Sequence, residues 1–307
     1  MPHWQKLLVL VSFVGMIVAL YVGDYLTIPA IVAPAALIAS MPVLFLAFIA
    51  WCLSWRSLLN ASSYPIRTST AIASTGLPVF GKYLPGKVWM IVGRAAHVAH
   101  ANQYPLGLLS AFAFKAQLID LWTGLLLGCI GLYVAGGLWK WGLVPLSAWA
   151  ALTIILFMKA PRQLIGYLVK RVFHRDPGLE RLGSATNMIG ATFWSLATWL
   201  MLAAGFHLLA LALVDRPLHW SVGFAFPLAG ALGIMAFIVP GGVGVREGVL
   251  AAFLTMTGLN LAEAGSVAIA SRLWYLAGEL FIFGCGLASI WLPHRATKRD
   301  EPYVLRK

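Results

Sequence analysis

Long apolar runs separated by short polar stretches dominate the chain. They cover about residues 7–23, 28–53, 105–135, 143–159, 186–213 and 263–292. A helix needs about 20 mainly apolar residues to cross the hydrocarbon core of a bilayer. The pattern therefore predicts six full transmembrane helices. We expect the first to be retained, because no small-residue cleavage site follows it cleanly.

Two further apolar segments are interrupted by glycine, proline and charged residues. The first spans about 71–102 and contains Gly81-Lys-Tyr-Leu-Pro-Gly-Lys87. The second spans about 220–257 and contains Pro240-Gly-Gly-Val-Gly-Val-Arg-Glu-Gly248. Irregular backbone is tolerated at membrane depth only where protein buries it or a wet cavity adjoins it. We therefore expect two re-entrant or broken helical hairpins.

The interrupted segments occupy matching places in the two halves of the chain, 1–142 and 143–294, which a basic cytoplasmic tail follows at 295–307. Each half has two full spans before its interrupted segment, so one segment enters from the cytoplasmic face and the other from outside. Paired interruptions of this kind are typical of inverted-repeat transporters with a site near the mid-membrane. The predicted fold is an all-α polytopic membrane protein with an inverted repeat.

The composition supports a membrane location. Of the 307 residues, 61% are hydrophobic and 10% are charged, whereas soluble domains carry about 25% charged residues. So few charges exclude a soluble enzyme, a disordered tail and a nucleic-acid-binding domain. In the predicted topology 14 Lys and Arg residues lie inside and 2 outside, as the positive-inside bias requires. We expect a bacterial cytoplasmic membrane protein with both termini cytoplasmic.

The sequence gives little support for a metal or a cofactor. Its three cysteines, Cys52, Cys129 and Cys285, are far apart and form no disulfide framework. His97 and His100 have no third ligand nearby, so neither a metal site nor a cofactor is expected.

The first interrupted segment combines two lysines with a glycine-opened turn. It approaches a phosphate-binding P-loop, but Val88 replaces the required Ser or Thr and no strand precedes it. The ammonium groups of Lys82 and Lys87, with backbone N–H groups freed around Pro85 and Gly86, still suit an anion. The alternative is a re-entrant turn whose lysines reach the headgroup layer.

The second interrupted segment places an Arg–Glu pair directly after a glycine-rich turn. Arg246 can grip a phosphate bidentately, and Glu247 can orient it or accept a proton. A charged pair at membrane depth is costly and functional by default. The alternative is a self-neutralising pair that fixes the hairpin. The expected turn residues are Pro240, Gly241, Gly242 and Gly244.

Other residues within the apolar runs are candidates for the same site. Asp120 lies in the middle of the span at 105–135, and Arg272 and Glu279, seven residues apart, share a helix face. Each can line a ligand path, relay protons or form a structural ion pair. Interfacial anchoring is expected for four aromatic residues, with contact to a lipid chain as the alternative: Tyr83, Trp89, Trp274 and Tyr275.

The segments GKYLPGKVW and PGGVGVREGVLAAF resemble motifs of the lysylphosphatidylglycerol synthetase transmembrane-region family, in order and separation. The resemblance covers about residues 5–292, and Arg272 fits the family's arginine in the last span. The family often has Glu-Arg-x-x-Asp in its middle span. This chain has Ala116-Gln-Leu-Ile-Asp120, which keeps only the acid and points to a different headgroup.

The best-known relatives carry a soluble aminoacyl-transfer domain after the spans. This chain stops at Lys307 without one, so the synthetase activity is not carried over. The resemblance instead implies a flippase, not an enzyme, for an anionic lipid such as a polyprenyl-phosphate-linked sugar or a modified phospholipid. In a flippase we expect Lys82, Lys87, Arg246 and Arg272 to bind the lipid phosphate. We expect Asp120, Glu247 and Glu279 to line the cavity or to relay protons.

Two other functions stay open. An enzyme acting on lipid phosphates needs a nucleophile or a base near the cations, and only His97 and His100 are close in sequence. A non-transporting scaffold could use the basic stretch 159–181 to dock a lipid-modifying enzyme or a glycosyltransferase. Attraction to anionic lipids explains that charge equally well.

Overall fold

Helices form all of the regular structure in the part of the chain that the computed structural model describes, residues 30–84, 88–137, 141–158, 188–236 and 244–291. The α-helices are α1 (Pro34–Asn60), α2 (Thr68–Gly76), α3 (Val88–Asn102), α4 (Leu106–Val134), α5 (Leu143–Phe157), α6 (Ile189–Leu213), α7 (Ala225–Met235), α8 (Val245–Met256) and α9 (Leu261–Trp291). Two 3₁₀ turns, Val79–Tyr83 and Trp220–Phe224, precede α3 and α7. The predicted all-α class is confirmed for these residues.

Four helices, α1, α4, α6 and α9, are long and apolar enough to cross a membrane. They contain 25 to 31 residues, which gives lengths of about 37–46 Å against a hydrocarbon core of about 30 Å. They match four of the six predicted spans. Helix α5 has 15 residues and reaches only about 22 Å. The predicted span at 7–23 lies outside the described residues.

No single helix crosses either interrupted segment, as the glycines and prolines predict. In the first, α2 ends at Gly76 and α3 begins at Val88. In the second, α7 ends at Met235 and α8 begins after Gly244, whose φ of +81° favours glycine. The other predicted turn residues lie outside the described residues: Pro85, Gly86, Pro240, Gly241 and Gly242.

Helices α1 and α6 pack along each other. Helix α9 packs on α2 and α1, and α4 packs on α7 and α6. Helices α3 and α8 pack on α4 and α9 respectively. Small residues allow this close approach, because a Cβ atom on Gly76 would collide with the backbone of Ile282 and one on Gly128 with Leu228. Both interrupted segments are therefore held against long helices.

Candidate functional site

A cavity of about 370 Å³ lies among α1, α3, α4, α6 and α7 and reaches the first turn of α8 and the middle of α9. Most of its wall is apolar. Lys82, Asp120 and Arg246 bring charge to it. Two of these come from the interrupted segments, since Lys82 belongs to the turn before α3 and Arg246 to the start of α8.

Arg246 is a buried guanidinium with unused hydrogen-bond donors. The residue is 7% exposed, and its Nε and one Nη nitrogen have no hydrogen-bond partner among the described residues. Its Cζ lies 4.3 Å from the centre of the Phe226 ring and 4.7 Å from that of Tyr275. Aromatic faces stabilise the cation but leave its N–H donors unused. Arg246 therefore lines the cavity with a guanidinium in which two nitrogens are buried and lack a partner among the described residues.

Lys82 forms an ion pair with Glu279 of α9. Glu279 is fully buried and also accepts a hydrogen bond from the hydroxyl of Tyr83 at 3.0 Å. The Nζ atom of Lys82 lies 4.6 Å from the centre of the Tyr275 ring. Tyr275 therefore contacts both cations of the cavity, Lys82 and Arg246.

Glu247 pairs with Arg272 of α9 rather than with its neighbour Arg246. Its second oxygen accepts the backbone N–H of Gly244 at 2.7 Å, which caps the start of α8. The alternative in which Arg246 and Glu247 neutralise each other is therefore wrong, because Glu247 forms its ion pair with Arg272. Arg272 is buried and does not line the cavity.

The carboxylate of Asp120 is held in the cavity wall by neutral donors. Trp51 Nε1 donates to Oδ2 at 2.8 Å, and the hydroxyl of Ser195 donates to Oδ1 at 2.7 Å. Trp199 Nε1 donates to the backbone carbonyl of Asp120 at 2.8 Å. Arg94 lies on the Trp51 ring, with its Cζ 4.7 Å from the ring centre. A cation thus lies close to the acid without replacing its two hydrogen bonds.

The structure brings the predicted site residues into two groups. Lys82, Asp120 and Arg246 line one cavity. Glu247, Arg272 and Glu279 form ion pairs that connect the interrupted segments to α9. Lys87 lies outside the described residues.

The prediction from sequence missed some residues of the site and gave others a different role. Trp51 and Ser195 are uncharged and lie in apolar runs, so no pattern marks them. Arg94 is a lone charge in an apolar stretch, and that feature alone could have indicated it. Interfacial anchoring is wrong for Tyr83 and Trp274, which are buried in the fold. Tyr275 lines the cavity, whereas Trp89 is exposed.

Long apolar helices with charged side chains buried between them define an integral membrane protein. Residues 6–282 match the family described as the transmembrane region of lysylphosphatidylglycerol synthase, and the chain belongs to that family. The match confirms the resemblance carried by the two motifs and indicates a lipid-related function in the membrane. Neither the curated proteins nor the solved structures contain a significant match.

Proposed function

We propose that the protein is a flippase that moves an anionic lipid between leaflets through the central cavity. Arg246 binds the phosphate of the headgroup, and Lys82 adds positive charge beside it. The carrying observation is the position of Arg246, a buried cation that lines the cavity with unused donors. The lipid is a polyprenyl-phosphate-linked sugar or a modified phospholipid.

A phosphate meets the chemical needs of Arg246. A buried charge without a partner costs several kcal/mol or more, and aromatic stacking offsets only about 1–2 kcal/mol of that cost. A phosphate supplies an opposite charge and two acceptor oxygens in the geometry of a guanidinium fork. The same contact lowers the barrier for the headgroup, because its charge is neutralised where water is scarce.

The helix packing supports an internal repeat within this proposal, and the predicted topology makes that repeat inverted. The pattern of helix contacts stays the same when α1 is exchanged with α6, α2 with α7, α3 with α8 and α4 with α9. The α2–α9 contact then maps onto α7–α4, α3–α4 onto α8–α9, α2–α3 onto α7–α8, and α1–α9 onto α6–α4. All of these pairs pack against each other. Two equivalent halves suit a carrier that opens to each leaflet in turn, with re-entrant segments at its centre and both termini cytoplasmic.

Transport fits the site better than catalysis. The two histidines that an enzyme could use, His97 and His100, do not line the cavity. The carboxylates of Glu279, Glu247 and Asp120 are engaged by Lys82, Arg272, Trp51 and Ser195 rather than placed as free bases. Docking of a lipid-modifying enzyme or a glycosyltransferase stays a prediction.

The test is transport of three fluorescent lipids in proteoliposomes, a polyprenyl-phosphate-linked sugar, an aminoacyl-phosphatidylglycerol and unmodified phosphatidylglycerol, each followed by chemical quenching of the outer leaflet. Loss of a charged hydrogen bond costs about 1.5–3 kcal/mol. Arg246→Ala should therefore slow transport about 10- to 100-fold. Arg216→Ala, which removes an exposed arginine that pairs with Glu263, should transport as wild type does. Equal rates for Arg246→Ala and wild type would refute the proposal.

A further inference from the structure

The cavity opens to the outside on one side. Among the residues that line it, Phe114 of α4 is 39% exposed and Met235 of α7 is 40% exposed. Met90 and Ile91 of α3 also line it and are half-buried. Helix α4 packs against both α3 and α7. The opening therefore lies between α3 and α7, over one face of α4.

That face of α4 forms the floor of a groove that leads inward. Phe114, Gln117, Leu118 and Leu121 line the cavity at the spacing of one helix face. Exposure falls along the row, from 39% at Phe114 through half-buried Gln117 and Leu118 to 9% at Leu121. Asp120, next to the inner end, is buried. A path that is apolar except for Gln117 therefore joins the exterior to the charged part of the cavity.

The mouth of the groove lies at the depth of the lipid chains. Phe114 is eight residues from the start of the 29-residue helix α4, or about 12 Å along an axis of about 43 Å. If α4 is centred on a hydrocarbon core of about 30 Å, Phe114 lies about 5 Å inside that core. With α4 centred in this way, the exposed face of Phe114 meets hydrocarbon chains rather than water.

We propose that this groove, with Met90, Phe114, Leu118 and Met235 at its mouth, holds a hydrocarbon chain of the transported lipid while Arg246 holds the phosphate. The assignment rests on the proposed function and deepens it. Phosphate chemistry at Arg246 is common to a lipid headgroup and to free phosphate. An apolar groove that ends in the hydrocarbon serves only a ligand with a chain, so the occupant is a lipid.

The groove explains how a long chain can accompany a headgroup through a small cavity. A chain that leaves sideways into the bilayer never has to enter water, so only the headgroup needs a polar path. Methionine and leucine side chains at the mouth adapt to a flexible chain.

Photo-crosslinking tests the chain contact directly. The probe is phosphatidylglycerol with a diazirine on one acyl chain, and adducts are located by mass spectrometry in proteoliposomes. We expect adducts at Phe114 and Met235 that fall about tenfold in Arg246→Gln and persist in Arg246→Lys, which keeps the charge. Adducts at Phe193, a lipid-exposed residue of α6 outside the cavity wall, should not change. If Arg246→Gln leaves the labelling of Phe114 unchanged, as it should leave that of Phe193, the assignment is overturned.

A size change at the mouth separates the groove from the headgroup site. Phe114→Trp narrows the groove, and Phe193→Trp is its matched control on the lipid-facing surface of α6. We expect Phe114→Trp alone to slow transport of the long-chain lipid severalfold, with binding of water-soluble glycerophosphoglycerol and of inorganic phosphate unchanged. If transport depends on Arg246 but is unchanged in Phe114→Trp, the chain-binding groove is refuted and the flippase proposal still holds. If transport depends on neither residue, both the groove and the flippase proposal are refuted.

Discussion

The Lys82–Glu279 ion pair gives the sharpest test of how charge is arranged at the site. Glu279 is fully buried, whereas the side chain of Lys82 is 22% exposed. Glu279→Gln keeps the shape and the acceptor for Tyr83 but removes the charge. It leaves Lys82 without its counter-charge, and Lys82→Met leaves a buried carboxylate. Breaking a buried pair costs about 3–5 kcal/mol, and the partial exposure of Lys82 places the expected loss near the lower limit.

The double variant Lys82→Met/Glu279→Gln should cost much less than the sum of the two single variants, because it leaves no lone charge. We expect a coupling free energy of about 2–3 kcal/mol. The measurement is the free energy of unfolding from detergent denaturation in mixed micelles, for wild type and all three variants.

An exposed pair provides the matched comparison for this cycle. Arg216 and Glu263 form an ion pair 2.8 Å long, with side chains 43% and 31% exposed. Exposed pairs contribute about 0–1 kcal/mol, so the same cycle with Arg216→Met and Glu263→Gln should give a coupling below about 1 kcal/mol. Additive single variants at Lys82 and Glu279 would refute a strong buried pair there.

Three further predictions concern the cavity wall and the close helix contacts. Asp120→Asn should lower the melting temperature and slow transport, because Trp51 and Ser195 then lose a charged hydrogen-bond partner. A hydrogen bond to a charged group contributes about 1.5–3 kcal/mol, against about 0.5–1.5 kcal/mol for a neutral one. Gly244→Ala should destabilise by about 1–3 kcal/mol, because side chains rarely tolerate φ +81° with ψ −48°. Gly248→Ala, with open space around its Cβ position, should not destabilise. Gly76→Ala should lower the melting temperature because its Cβ collides with a backbone, whereas Gly265→Ala has room. An equal loss in either control would contradict the corresponding assignment.

Long spans could be predicted because the bilayer fixes the length of an apolar helix. Their ends were less predictable. Helix α1 runs to Asn60, beyond the predicted end at residue 53. The added turns bury Trp55, Leu58 and Leu59 against other helices. Hydropathy predicts the apolar part of a helix that contacts lipid, but it does not predict helical turns that contain polar residues and are buried by other helices.

The cations of the cavity could be predicted because charge at membrane depth is rarely accidental. Their partners could not. Arg246 and Glu247 are neighbours in sequence, but adjacent residues on a helix point in different directions. Glu247 therefore reaches Arg272, which the sequence places on one face with Glu279. The sequence does not indicate that this face of α9 forms ion pairs with both interrupted segments.

Among the described residues Arg246 has no carboxylate partner, because other groups engage the two acids around it. Glu279 is used by Lys82 and Tyr83, and Glu247 by Arg272 and the cap of α8. Releasing Glu247 should therefore let it compete with phosphate for the neighbouring guanidinium.

Arg272→Met releases Glu247 in this way and should slow transport of phosphatidylglycerol about tenfold, the effect of roughly 1.4 kcal/mol. Glu247→Gln in the same chain removes the competing charge, so Arg272→Met/Glu247→Gln should recover most of the rate in the proteoliposome assay. A double variant as slow as Arg272→Met would mean that the loss of Arg272, and not the release of Glu247, slows transport. In that case the uncompensated charge of Arg246 would not be the feature that selects an anion.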